Sequence, residues 1–285
     1  MRYATWQKIE ASPFWHGVYR SYRSLVPASA RAPLRALLTP RWHIATSLVR
    51  AASRHRVVAG PFRGMRLELS PLSRRHHMGY VLGSQELELR DAIEQIIAKR
   101  YRAILNVGAA DGYYAVGLAL RSPHSRVIAF EALPELHPVI TRTARENGVA
   151  NRIVVLGTCG LDELRHHLND TTERRLVLMD IEGAEAKLLD PAAVTELARA
   201  DILVETHDAF VPGCTETLIE RFRPTHEIFR YAARPRALSD YPADFLPLLK
   251  RWFPNFAVEL MHERRAGTQQ WLYLVAHDAG AHPRD

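Results

Sequence analysis

The spacing of apolar positions changes along the chain. Between 12 and 56 it is helical. Ser12-Pro13 and Thr39-Pro40 each place a capping residue before a proline at the first helical position, where no N–H is needed. Phe14, Trp15, Val18, Tyr19 and Tyr22 form one stripe, ended by Pro27; Trp42, Ala45, Leu48, Val49 and Ala52 form another. Residues 57–59 and 65–69 read as a strand pair around Gly60-Pro61 and Gly64, because Met65, Leu67 and Leu69 alternate with Arg66 and Glu68. Ser84 is placed to cap a helix over 85–100. Continuous apolar runs then follow at 103–107, 127–130, 153–156, 176–179 and 202–204, separated by helical stretches. Strands alternating with helices of crossover length predict a parallel sheet covered on both faces. Further strands are predicted at 227–231, 256–260 and 271–275, the last two as a hairpin-like pair giving an antiparallel edge. The organisation expected is a helical extension over 1–56, a strand pair and lead-in helix over 57–100, and a Rossmann-like α/β domain over 101–285.

Composition narrows the class without naming a function. Of 285 residues, 47% are hydrophobic and 24% charged, which excludes a disordered chain or a disulfide scaffold. Cys159 and Cys214 make no CxxC pair, and no run in the sequence has the length and continuity of a signal or membrane-spanning segment, so a cytoplasmic location is expected. The net charge of +7 is uneven: the first 66 positions net +11, with Glu10 their single acid, and the rest nets −4. No nucleic-acid partner is expected for an acidic body. The basic leader reads either as a helical cap on the body or as a segment lying on anionic membrane or an acidic partner.

The chemistry concentrates after the first parallel strand. Asn106-Val107-Gly108-Ala109-Ala110-Asp111-Gly112-Tyr113-Tyr114 carries the strand into a small-residue turn and then a helix. Ligands of open α/β sheets bind outside the carboxyl ends of strands. The Gly-x-x-x-Gly spacing departs from the GxGxxG turn that receives a pyrophosphate, which disfavours a nicotinamide dehydrogenase. Glu131, 23 residues after Gly108 and closing the second strand, can accept from both hydroxyls of a ribose. A nucleoside without a diphosphate fits, and S-adenosyl-L-methionine is such a molecule.

Four ordered segments, 106–114 (NVGAADGYY), 129–134 (AFEALP), 179–185 (MDIEGAE) and 204–208 (VETHD), resemble the FkbM-type class I S-adenosylmethionine-dependent methyltransferases. The resemblance covers roughly residues 80–210 and implies a doubly wound, mostly parallel seven-stranded sheet. It also implies O-methylation of a hydroxyl on a saccharide or small natural product. By this match Asn106, Gly108, Ala109, Ala110, Gly112 and Tyr113 line the cofactor. Glu131 takes the ribose with Ala132 near it, and Thr158 and Cys159 pass the adenine edge. Asn106 stands where such enzymes usually carry Asp, and this departure supports the alternative of a binding module without catalysis.

An alcohol acceptor must lose its proton to a carboxylate, a histidine or a metal-bound state. Asp180 and Glu182 follow the fourth strand; Glu205 and His207 lie at the end of the fifth, which should be its neighbour. His207 or Asp180 is favoured as base, and Asp180 also borders the cofactor. A second reading is Mg²⁺ held by Asp180, Glu205 and His207. Glu185 reads as a helix-capping carboxylate paired with a nearby arginine. The pairs His76-His77 and His166-His167 are poor bidentate sets, since adjacent side chains diverge. Arg221 reads as a surface residue, and the segment from Glu263 to Gly267 as a lid candidate.

Overall fold

A computed structural model describes residues 40–70, 77–169, 174–263 and 269–277. The predicted helix after Ser12, together with His76 and most of the lid candidate, lies outside these residues.

The predicted alternation is present. Strands β1 (Ala103–Val107), β2 (Arg126–Phe130), β3 (Ile153–Leu156), β4 (Arg175–Met179) and β5 (Asp201–Thr206) pair in parallel in the order β3-β2-β1-β4-β5. Strand β7 (Gln270–Ala276) runs antiparallel beside β5, and β6 (His226–Ala232) pairs antiparallel with β7. The sheet is therefore seven-stranded and Rossmann-like, ordered β3-β2-β1-β4-β5-β7-β6. Its single antiparallel strand lies one position in from the edge.

Three helices are α1 (Pro40–Ser53), α2 (His77–Leu82) and α3 (Arg90–Ala98). Helix α4 (Tyr113–Arg121) links β1 to β2, α5 (His137–Glu146) links β2 to β3, and α6 (Leu161–Leu168) links β3 to β4. The short α7 (Glu185–Leu188) lies between β4 and β5, α8 (Cys214–Phe222) between β5 and β6, and α9 (Pro247–Trp252) and α10 (Pro254–Met261) precede β7. Period-2 alternation divides the strand side chains between two cores. Ile104, Leu178, Leu203 and Trp271 join the core under α3 and α4, whereas Leu105, Val177, Met179 and Val204 join the opposite one. Gly117 lets Phe62 lie on α4: a Cβ there would sit 2.5 Å from the Phe62 ring.

Three predicted elements differ. Residues 57–69 make no ladder, only an Arg56–Arg66 bridge. Val57 N donates to Met65 O and Leu67 N to His55 O on either side of that bridge, and the outward-facing N–H groups of Arg66 and Glu68 donate to the Asn147 and Thr143 side chains around α5. The helix expected over 85–100 begins as a 3-10 turn at Leu87–Leu89 and becomes α-helical at Arg90. Glu86 holds a left-handed conformation (φ 47°), and its carboxylate accepts from Tyr114 Oη and Gln85 Nε2. Residues 256–260 are helical, within α10. Phe256, Val258 and Leu260 mimic a strand period, but Pro254 opens the helix and the buried residues are Ala257, Leu260 and Met261, at helical spacing.

The described part of the basic leader, α1, packs on the body. Ala45 and Val49 of α1 share a buried cluster with Met78, Leu82, Tyr241 and Leu260, and Trp42 meets Phe256 edge-on at 5.6 Å. No helix among the described residues is long and apolar enough to cross a membrane.

Candidate active site

The turn after β1 is held in shape by its neighbours. Gly108 N and Ala109 N both donate to Phe130 O at the end of β2, and Asp180 N donates to Val107 O. Gly108 has φ +84°, and a Cβ on it would sit 1.8 Å from Asp180 O, so no side chain fits. Ala110 is also left-handed (φ 47°), and its N–H donates to Glu131 Oε2 at 2.7 Å. Glu131 Oε1 accepts from Leu133 N at 2.8 Å. Glu131 is thus a buried brace between two strand ends. Each of its oxygens has a second lone pair, so the brace leaves acceptor capacity for a ligand hydroxyl.

Asn106 is 1% exposed, and neither its Oδ1 nor its Nδ2 has a partner. Asp111, equally buried, accepts from Ser70 N through Oδ1, while Oδ2 has no partner. Unmade hydrogen bonds of this kind cost about 1–3 kcal/mol each, which a bound polar ligand removes. Tyr113 is buried at the start of α4 and packs on Phe62 and Tyr80. Ala132 and Thr158 are exposed, at the ends of β2 and β3. Cys159 is buried, and burial together with the nearby Glu163 charge pushes its thiol up to about 12, so it is no thiolate.

The acid–base group lies across β4 and β5, which are neighbours as expected. One step beyond their last paired rung, Met179–Val204, come Asp180 and Glu205. Glu205 is 1% exposed, opposite Trp271 in the register. His207 is buried, and its ring stacks on Phe210 at 5.7 Å. Its Nδ1 lies 2.7 Å from Glu185 Oε1, and its Nε2 lies 3.7 Å from Asp180 Oδ1. Glu182 is exposed and left-handed (φ 53°) on the bend between them.

Glu185 corrects the capping expectation. It is fully buried at the first turn of α7, and its carboxylate faces His207 rather than an arginine. Oε1 also accepts from Gly183 N and Ile181 N, while Oε2 is unpartnered. Burial acts upward on its pKa, but the His207 and backbone hydrogen bonds outweigh it and hold the carboxyl below its ordinary range. For His207, burial acts downward, and the Glu185 hydrogen bond and the Asp180 charge outweigh that and raise it above 6.5. The second E of Asp180-Ile-Glu-Gly-Ala-Glu185 was a usable signal, because a carboxylate just past a glycine bend can turn back toward the strand ends.

The metal-compatible cluster among the described residues is Asp180, Glu185 and His207, with ligand atoms within 4.8 Å of one another. Glu205 is not in it. Asp208 is occupied elsewhere, accepting from Thr215 N at 3.3 Å and from Thr215 Oγ1 at the start of α8. Arg221 is half-buried rather than a surface group, its Nη1 donating to Ala186 O and Leu189 O behind α7. Glu263 forms a buried ion pair with Arg236.

No protein-family model matches the sequence, and no curated protein does. Solved structures similar to this chain include a putative caffeoyl-CoA O-methyltransferase from Staphylococcus aureus, 14% identical, covering 65% of this chain and 82% of its own, at TM-score 0.44. An O-methyltransferase from Bacillus cereus in complex with SAH is 14% identical over 90% of this chain and 96% of its own, at TM-score 0.42. The tRNA methyltransferase TrmK from B. subtilis is 12% identical over 66% and 65%, at TM-score 0.41.

Proposed function

We propose that this protein is an S-adenosylmethionine-dependent methyltransferase of the FkbM type, acting on a hydroxyl of a saccharide or small natural product. The observation that carries the reading is the polarity of the β1 turn. Residues 106–114 contain no basic side chain and include Asp111, and Glu131 stands beside them. Such a lining repels phosphate, suits a cation, and offers Glu131 to a ribose diol. The unpartnered polar atoms of Asn106 and Asp111 are suited to the polar groups of the amino-acid end.

When bound, the sulfonium supplies an electrophilic methyl group whose S–C electron pair returns to sulfur as the acceptor oxygen bonds to carbon. The chain's own work is alignment, exclusion of water and removal of the acceptor proton. Alignment of two bound reactants can supply ~7–11 kcal/mol. Asp180 and His207 border the strand ends where the acceptor hydroxyl would sit. Titration calorimetry with S-adenosylhomocysteine tests the reading: the expected result is binding by the wild-type chain and loss in Glu131→Ala, and no heat from the wild type overturns it.

A second reading places Mg²⁺ at the same strand ends, favoured by the convergence of Asp180, Glu185 and His207. It expects methyl transfer to stop in chelator and return on adding Mg²⁺.

A further inference from the structure

The His207–Glu185 pair goes beyond that reading by deciding which atom takes the proton. A neutral imidazole has one donor and one acceptor nitrogen, and the partner of one sets the role of the other. Glu185 Oε1 already accepts from two backbone N–H groups, so at 2.7 Å the proton between it and His207 lies on Nδ1. Two backbone N–H groups fix the accepting oxygen, Oε1, and the Phe210 ring fixes the imidazole plane. The lone pair of neutral His207 is then on Nε2. That atom lies toward Asp180, at 3.7 Å, beyond a direct hydrogen bond. Asp180 is itself about one-third exposed, whereas Glu185 and His207 are buried. The pair therefore presents one proton-accepting nitrogen to the end of β4, beside the Gly108 turn.

We propose that Glu185 is the positioning residue that sets the His207 tautomer and makes Nε2 the proton acceptor for the methyl acceptor's hydroxyl; the inference rests on the methyl-transfer reading. The hydroxyl proton passes to Nε2, its oxygen forms the new bond to the methyl carbon, and the sulfonium leaves as a neutral thioether. The imidazolium so formed is balanced by Glu185 through Nδ1–H. Asp180 flanks the hydroxyl from the other side. The role differs from that expected of a metal ligand, which would require Nε2 to be taken by the cation.

The full-length chain, labelled with ¹⁵N in its imidazoles, provides the test. His207 is assigned from the resonances lost in His207→Gln. Expected for the wild type is a neutral form protonated on Nδ1 and a change in the Nε2 signal on adding S-adenosylhomocysteine. Glu185→Gln should fold and keep the Nδ1 tautomer, because its amide oxygen can keep all three hydrogen bonds of Oε1, whereas Glu185→Leu should release it. Neutral His207 protonated on Nε2 in the wild type, or a tautomer unmoved by Glu185→Leu in a folded chain, overturns the proposal. So does selective broadening of the Nε2 resonance by stoichiometric Mn²⁺, which would assign that atom to a cation. The wild-type measurements need no variant, so misfolding of Glu185→Gln leaves the tautomer decisive. Absence of S-adenosylhomocysteine binding by calorimetry defeats the methyl-transfer reading itself, whereas binding with the wrong tautomer defeats only the role of Glu185.

Discussion

Strand β5 has a buried acidic cluster at each end, and the two are built to opposite rules. At its start, Asp201 is completely engaged. Oδ2 accepts from Lys99 Nζ at 2.8 Å and from Tyr101 Oη, and Oδ1 accepts from Ala276 N at 2.8 Å. Tyr101 and Tyr273 share a further contact at 3.0 Å, and burial with the Asp201 charge drives the Tyr101 hydroxyl far above its ordinary value. This cluster ties β5, β7 and the entry to β1 together. At the carboxyl ends of the strands the account stays open. Glu185 Oε2, both polar atoms of Asn106 and Asp111 Oδ2 are buried without partners. A fold gains stability from closing such bonds, so a cluster left open where ligands bind in α/β sheets reads as a site. Buried charge alone does not distinguish function from architecture; unmade hydrogen bonds gathered at the carboxyl ends of the strands are the added observation.

Changes at the two ends should separate accordingly. Asp201→Ala strands Lys99 and two tyrosines and should cost about 3–5 kcal/mol in urea unfolding. The fraction still folded should bind S-adenosylhomocysteine as before. Loss of binding with folding intact would merge the two clusters into one. Gly108→Ala forces a left-handed alanine against Asp180 O. Backbone strain there is about 1–2 kcal/mol before any displacement of β4, and calorimetry should show binding abolished. Glu131→Ala removes charged hydrogen bonds worth about 1.5–3 kcal/mol to a ribose, a loss of roughly ten- to hundredfold in affinity.

The smallest effect is the most discriminating. Glu185→Gln should change stability by under about 1 kcal/mol at pH above the folded-state pKa of His207, where the imidazole is neutral and an ordinary hydrogen bond suffices. The raised pKa of His207 means that its ion pair stabilises the fold below the unfolded value and that this is lost as pH rises through the folded one. The lowered pKa of Glu185 confines the benefit to pH above the carboxylate range. The gap between wild type and Glu185→Gln should therefore widen as pH falls through the His207 titration toward its ordinary 6.5, as read by denaturant midpoints. A gap independent of pH would show that the pair is not ionic. Methyl transfer has the opposite slope, rising with pH as His207 loses its proton.

Much of this was readable from the chain because it depends on local period. The five parallel strands and the turn from Gly108 to Gly112 follow from apolar runs and glycine spacing, whereas the juxtaposition of β4 with β5 was implied by the fold of the family the motifs resemble. Residues 256–260 show where period misleads: three apolar residues at alternate positions read as a strand until Pro254 and the burial of Ala257 are weighed. The stretch at 65–69 differs in another way: it pairs with 55–57 through a single bridge, and its outward edge is taken up by Thr143 and Asn147, partners far along the chain.

The sequence by itself determined which residue types stand at the strand ends: a phosphate-averse turn, Glu131 after β2, and carboxylates and a histidine after β4 and β5. Those are consequences of order along the chain and of the rule that parallel strands end on one side. Only the tertiary structure decided that Glu185, and not Glu205, meets His207. The two are 22 positions apart, and their contact depends on how sharply the chain bends through Glu182 and Gly183 before α7 begins. That bend is set by packing between helix and sheet, a quantity no single stretch of sequence carries. It turns a carboxylate that looks like a helix cap into the group that orients the imidazole.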